Sequence, residues 1–189
     1  MVDTHGMAVT AVTAPAPGYT PVARALHWVT AAIVLGMVPA GIYMANVEGG
    51  PLKDLLYHLH RSFGAVLLPL ILVRLIYRLT NPPPPLPADL PPIQQFAAHA
   101  NHWGLYVLLI IQPILGWVAT SAYRAPVLVF WLFELPPIWK EDRAFSEQMF
   151  AAHRFVGIAI AFLAAGHIGA ALFHHFVRKD GILMRMVRG

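Results

Sequence analysis

Ten histidines stand in a chain of 189 residues that contains no cysteine. Disulfides, thiolate metal sites, iron–sulfur clusters and cysteine nucleophiles are therefore excluded, and imidazole is the chain's group for binding metals and handling protons. His27, His58, His60, His99, His102, His153, His167, His174 and His175 lie in or beside apolar stretches, while His5 stands apart near the start. Ionisable side chains in such surroundings are costly, and each is a functional candidate. His153 and His167 are the most informative pair. They are fourteen residues apart, so on a helix they differ by about 1400°, roughly 40° short of four turns, and sit about 21 Å apart along the axis. One helix would show both rings on one face at opposite depths of a bilayer. That spacing suits two stacked cofactors in a bundle core, one per leaflet.

The elements that must position these rings are apolar. The chain is 58% hydrophobic and 12% charged, with a mean hydropathy of +0.60; soluble domains carry about a quarter charged residues. Four runs, Ala25–Ala45, Phe63–Leu79, Trp103–Tyr123 and Phe155–Val177, are each long enough with their flanks to cross roughly 30 Å of hydrocarbon. Pro39, Pro69 and Pro113 interrupt three of them, which membrane helices tolerate. The fold expected is all-α, an integral membrane four-helix bundle with spans over about 25–45, 60–79, 102–123 and 152–177. A domain over 21–179 would follow a disordered tail at 1–20 and precede a cytoplasmic tail at 180–189. Residues 1–20 lack a signal peptide's charged start and short apolar core, so the first span is expected to be retained. Asn81–Pro92, NPPPPLPADLPP, reads as a stiff extended connector. The aromatics of 124–150 suggest a segment lying at the membrane interface and no fifth span.

A net charge of +4 from singly scattered Lys and Arg forms no basic stripe, which excludes nucleic acid as a partner. With four spans both termini share a side. That side holds seven basic residues, Arg24, Arg74, Arg78, Arg178, Lys179, Arg185 and Arg188, against six on the other. The cluster RKDGILMRMVRG at the C-terminus places the termini in the cytoplasm.

Topology then pairs the histidines by depth. Span four begins on the far side, so His153 lies there and His167 lies towards the cytoplasm. Early His27 of span one matches His167, and early His60 of span two matches His153. His60 opens H-R-S-F-G and His153 opens H-R-F-V-G. In both, a glycine four residues on clears the next turn for a flat porphyrin, and Arg61 or Arg154 could meet a propionate. Facing axial imidazoles make a low-spin b-type haem, an electron carrier with no open position. Attachment would be non-covalent, since C-x-x-C-H is impossible without cysteine. Zinc is disfavoured, because neither H-E-x-x-H nor a close carboxylate cluster is present. His58, two residues before His60, points to another face and is the weaker ligand candidate.

These pieces resemble the bacterial cytochrome b561 family of four-helix di-haem membrane cytochromes. The matching segments are R-A-L-H-W at His27, L-H-R-S-F-G at His60, A-H-R-F-V-G at His153, G-H-I-G-A-A-L-F-H-H at His167–His175, and V-R-K-D-G-I-L-M-R-M beyond them. The resemblance implies two haem b groups whose irons are ligated by His27, His60, His153 and His167. It also implies a bacterial inner-membrane location, ubiquinone as substrate or bound ligand, and superoxide as donor in some members.

His174, seven residues after His167 and on the same face, is the candidate proton donor at a quinone site, though a histidine also suits a helix C-terminus on dipole grounds. His99, His102 and Trp103 flank the start of span three and either line the same pocket or are interfacial, the second being the preferred reading. Arg74 either snorkels or pairs with a propionate. The function that follows is transmembrane electron transfer from a periplasmic donor, superoxide or a redox protein, to ubiquinone, an oxidoreductase-type activity. The alternatives are a haem-bearing anchor for a partner dehydrogenase or hydrogenase, and a non-redox transporter with histidine relays. The transporter would show repeated halves with broken helices, and the sequence has only the short H-R-x-x-G echo.

Overall fold

The computed structural model describes residues 18–189; His5 and most of the expected tail lie outside the described residues. Four long helices dominate: α1 Pro21–Asn46, α2 Pro51–Thr80, α3 Pro92–Tyr123 and α4 Arg143–Phe173. The first three open on proline, whose missing N–H costs nothing at a helix start and whose fixed φ favours one. Side-chain caps fix two of the starts. Thr20 accepts from the Ala23 N–H at 3.2 Å, and Asp142 accepts from the Phe145 N–H at 3.0 Å. All four helices are long and apolar enough to cross a membrane. They also overrun the expected spans: α2 begins nine residues before 60 and α4 nine before 152. Hydropathy marks only the lipid-facing stretch, whereas the helix continues into water until a proline or cap stops it.

α3 packs most extensively on α4, α1 on α2, and α2 on α3; α4 meets α1 little and meets α2 hardly at all. Val34, Leu67, Ile71, Tyr106, Leu109 and Ile160 form the buried core at mid-depth. Outward faces carry exposed apolar side chains such as Leu35, Val73, Ile76, Phe155 and Phe162, as lipid contact requires.

Two further elements come from segments expected to be irregular. Residues Val127–Val129 (β1) and Phe133–Leu135 (β2) form an antiparallel hairpin, with Val129 opposite Phe133. At its turn Phe130 and Trp131 have φ of 47° and 60°, left-handed values that bulky residues rarely adopt. Ser62 on α2 holds them there: its hydroxyl accepts from the Phe130 N–H at 2.8 Å and lies within hydrogen-bonding reach of the His58 and Leu128 carbonyls. At the other end α4 runs into a π-helical turn, His174–Arg178, followed by α5, Ile182–Val187. The segment 180–189 is docked. Arg24 donates to the Val187 and Arg188 carbonyls and Trp28 to that of Met186, so α1 side chains satisfy the open C-terminal carbonyls of α5.

Candidate functional site

The structure brings the predicted histidines together as two pairs. His60 and His153 have ring centres 6.0 Å apart at an interplanar angle of 70°, and His27 and His167 are 6.1 Å apart at 60°. A metal bound roughly 2 Å from one nitrogen of each of two imidazoles places the ring centres roughly 6 Å apart. The helices that carry each pair, α2 with α4 and α1 with α4, pack on each other far less than α3 packs on α4 or α1 on α2. His58 faces elsewhere, with its ring 5.6 Å from that of Trp131 in the hairpin.

On the far side, glycines on the neighbouring helices face the rings. A Cβ on Gly41 of α1 would lie 3.3 Å from His60 Cε1, and one on Gly116 of α3 would lie 3.1 Å from His153 Cε1. The glycines of the H-R-x-x-G echo have other neighbours: a Cβ on Gly64 would meet Met37 at 3.8 Å and one on Gly157 would meet the Gln112 amide at 3.1 Å. His153 Nδ1 donates to the Gln112 carbonyl at 3.0 Å, which keeps the proton off Nε2. His60 Nδ1 is buried without a partner. Half-buried imidazoles faced by glycines, one of them with an unsatisfied buried nitrogen, fit ligation of a planar macrocycle.

The end of the bundle that carries the C-terminal segment is more polar than the sequence reading expects. Arg74 donates to His27 Nδ1 at 2.8 Å. His102, read as interfacial, is half-buried with its ring 5.2 Å from that of His167 and belongs to this cluster. Its placement follows from α3 starting ten residues before it, which puts it a full three turns inside the helix. Trp103, by contrast, is exposed. Arg74 and Arg78 both lie over the Tyr106 ring. A cavity of about 340 Å³ opens beside them, lined by Tyr19, Arg78, the Pro83–Leu86 stretch, Gln95, His99 and His102.

Each helix contributes one residue to each site at one stride. His27 and Gly41, His60 and Arg74, His102 and Gly116, and His153 and His167 are all fourteen residues apart. The sites are thus two four-residue layers at two depths.

The remaining predicted residues are distributed as follows. Arg61 donates to the Pro126 carbonyl at 3.2 Å and lies over the Tyr57 ring, while Arg154 is exposed. Lys53 is bound to the Val47 carbonyl and Arg124 pairs with Glu141 at 3.6 Å. His174 donates from Nδ1 to Asp180 at 2.5 Å, and Arg178 bridges Asp180 and Asp89. Burial alone would raise the Asp180 carboxyl. Hydrogen bonds from His174, the Ile182 N–H and Arg178 outweigh it and hold the group below the usual carboxylate range. Sequence reasoning missed Gln112, Asp180 and the facing glycines. The H-x-x-H spacing of His99 and His102 was the signal for the cytoplasmic cluster, and R-K-D the signal for Asp180.

Known proteins resemble this chain over most of its length. The family model described as prokaryotic cytochrome b561 matches residues 18–189. Cytochrome b561 homolog 2 of Escherichia coli (strain K12) is 34% identical, covering 89% of this chain and 90% of the relative. The probable superoxide oxidase CybB of Yersinia pestis is 26% identical over 86% of this chain and 91% of its own length. Cytochrome b562 of Cereibacter sphaeroides is 29% identical over 91% and 96%.

Proposed function

The chain belongs to the prokaryotic cytochrome b561 family, multi-pass inner-membrane proteins that transfer electrons with b-type haem, and from that premise we propose that it carries two haems and links a periplasmic donor to membrane quinone. The observation that carries this reading is the pair of histidine couples at two depths, each with ring centres about 6 Å apart. Each haem, when bound, supplies a one-electron carrier at its own depth.

The chain's own residues do the rest. His60 and His153 ligate on the far side, His27 and His167 on the cytoplasmic side. A His27 that ligates through Nε2 carries its proton on Nδ1, so Arg74 must exchange the bond it makes there for a propionate carboxylate. On the far side Arg154 is the freer propionate partner, because Arg61 is engaged by the Pro126 carbonyl.

The quinone head group sits at the cytoplasmic end. His174 supplies its proton from Nε2 and takes another from the aqueous side, while the Asp180 carboxylate accepts from Nδ1 and orients the ring. The cavity beside His99 and His102 supports a second placement of that head group. Stopped-flow reoxidation by quinone separates the two. His174→Leu should slow it with both haem spectra intact, whereas an effect confined to His102→Leu would move the site to the cavity.

A small anionic donor such as superoxide fits the far side, where Arg61 and Arg154 flank the His60–His153 site. The likeness to a probable superoxide oxidase supports this choice. With Lys53 and Arg124 already engaged, steering would rest on few charges, so the fall in on-rate with added salt should be shallow. A rate independent of salt would remove the anionic donor. The basic C-terminal segment supports cytoplasmic termini. The basic test of the whole reading is haem quantitation per polypeptide with an optical spectrum: two b-type haems are expected, and one or none refutes it.

A further inference from the structure

One residue addresses both nitrogens of the same imidazole. The Gln112 carbonyl accepts from His153 Nδ1 at 3.0 Å, and the Gln112 side-chain amide lies 3.2 Å from His153 Nε2. A carbonyl can only accept, so Nδ1 holds the proton and Nε2 is bare; the side chain must then present its NH₂ group to Nε2. The amide's other atom, Oε1, is buried without a partner. Two glycines make room for the contact. A Cβ on Gly116 would lie 3.1 Å from His153 Cε1 and 3.2 Å from its Nδ1, and one on Gly157 would lie 3.1 Å from the Gln112 amide nitrogen. A polar amide in an otherwise apolar stretch of a membrane helix, set against Gly157 and left half-satisfied, points to a role at the ring it faces.

We propose that Gln112 is the positioning residue of His153: its carbonyl sets the tautomer that leaves Nε2 to ligate and holds the ring through Nδ1, and its side-chain amide packs beside the ring and limits how far it turns. Both contacts come from α3, a helix that supplies no ligand in the proposed set. The carbonyl bond is compatible with ligation and makes the imidazole a stronger donor. The amide bond uses the lone pair that a metal would take, so the amide turns on loading and stays a dipole beside the ligand. Ring angle and ligand strength govern, respectively, the anisotropy of a low-spin haem signal and its reduction potential. Gln112 thereby tunes the far-side haem and leaves the cytoplasmic haem alone.

This rests on the two-haem reading, and wild-type haem content tests that reading first and separately. The test uses purified holoprotein, with low-temperature electron paramagnetic resonance and a redox titration, the far-side signal being the one lost in His60→Ala. Gln112→Met keeps length and packing but removes the donor. It should retain two haems and shift the largest g value of the far-side haem only. Gly157→Ala, which crowds the amide without touching His153, should shift the same signal. Gly116→Ala should loosen the Nδ1 bond and raise the far-side midpoint potential, since a weaker ligand favours the reduced iron. Unchanged g values in both Gln112→Met and Gly157→Ala overturn the proposal, as does an equal shift in both haems. If Gln112→Met does not assemble, Gly157→Ala decides alone, and an unshifted far-side signal there is a refutation.

Discussion

Replacing Gly41 with valine tests whether the far-side pair is a haem site with a shape of its own. The Cβ alone would stand 3.3 Å from His60 Cε1, tighter than ordinary contact, and two further methyls must go beside it. The ring can yield only by moving off its line with His153, 6.0 Å away. Overpacking of this kind costs about 1–3 kcal/mol. Charged to the far-side site, that is roughly a 5- to 150-fold loss in haem affinity. The His27–His167 site should not notice, because Gly41 lies fourteen residues, about 21 Å of helix, from His27. Gly36→Val is the control, since a Cβ there meets nothing within 4 Å. Haem quantitation after purification should fall from two towards one in Gly41→Val and stay at two in Gly36→Val. The redox titration should lose one component. Two haems in Gly41→Val with an unmoved far-side midpoint would refute the reasoning that this glycine is spacing for His60.

Other outcomes follow from the same structure. His60→Ala and His153→Ala should each remove one and the same spectral component, and His27→Ala and His167→Ala the other; a cross-over between the sets would break the pairing. Ser62→Ala should free the strained turn at Phe130 and Trp131, because a buried hydroxyl with backbone partners contributes about 1–3 kcal/mol. Faster backbone hydrogen exchange across Val127–Leu135 would show it. The Asp180 carboxyl is held below its ordinary value near 3.8, so its contribution is complete above that pH and is lost as pH falls through the lower folded value. Limited proteolysis of α5 should therefore be flat from pH 7 down to the ordinary carboxylate range and rise only below it, while Asp180→Asn should be cleaved faster at pH 7.

Much of this was legible in the residues because two simple periodicities carry it. Apolar length marks a membrane span, and 100° per residue puts His153 and His167 on one face, which is enough to derive both pairs without any contact being known. What was hidden depends on tertiary partners. Nothing in V-L-V-F-W-L-F-E-L announces a hairpin, since its turn has no glycine or asparagine and its left-handed residues are held from outside by Ser62. Gln112 is a lone amide in an apolar run, and its meaning lies wholly in its distance from a ring on α4. His102 looked interfacial because hydropathy starts the third span at 102, while the helix starts at Pro92. The docking of α5 rests on Arg24 and Trp28, more than 150 positions away in the chain.

The common stride of fourteen has a consequence for how such a protein can vary. Fourteen is two heptads. A straight helix drifts by about 20° per heptad, so left-handed winding of the bundle is what keeps both layers on the inner seam. Depth and handedness are then one quantity. Adding a single residue between His153 and His167 would swing one ligand by about 100° without altering hydropathy, and no hydrophobic criterion would register the damage. Adding seven residues to all four helices at once would keep every ring on the seam and move the layers about 10 Å farther apart. The bundle is a ruler graduated in heptads, and the separation of its two histidine layers can change only by whole divisions.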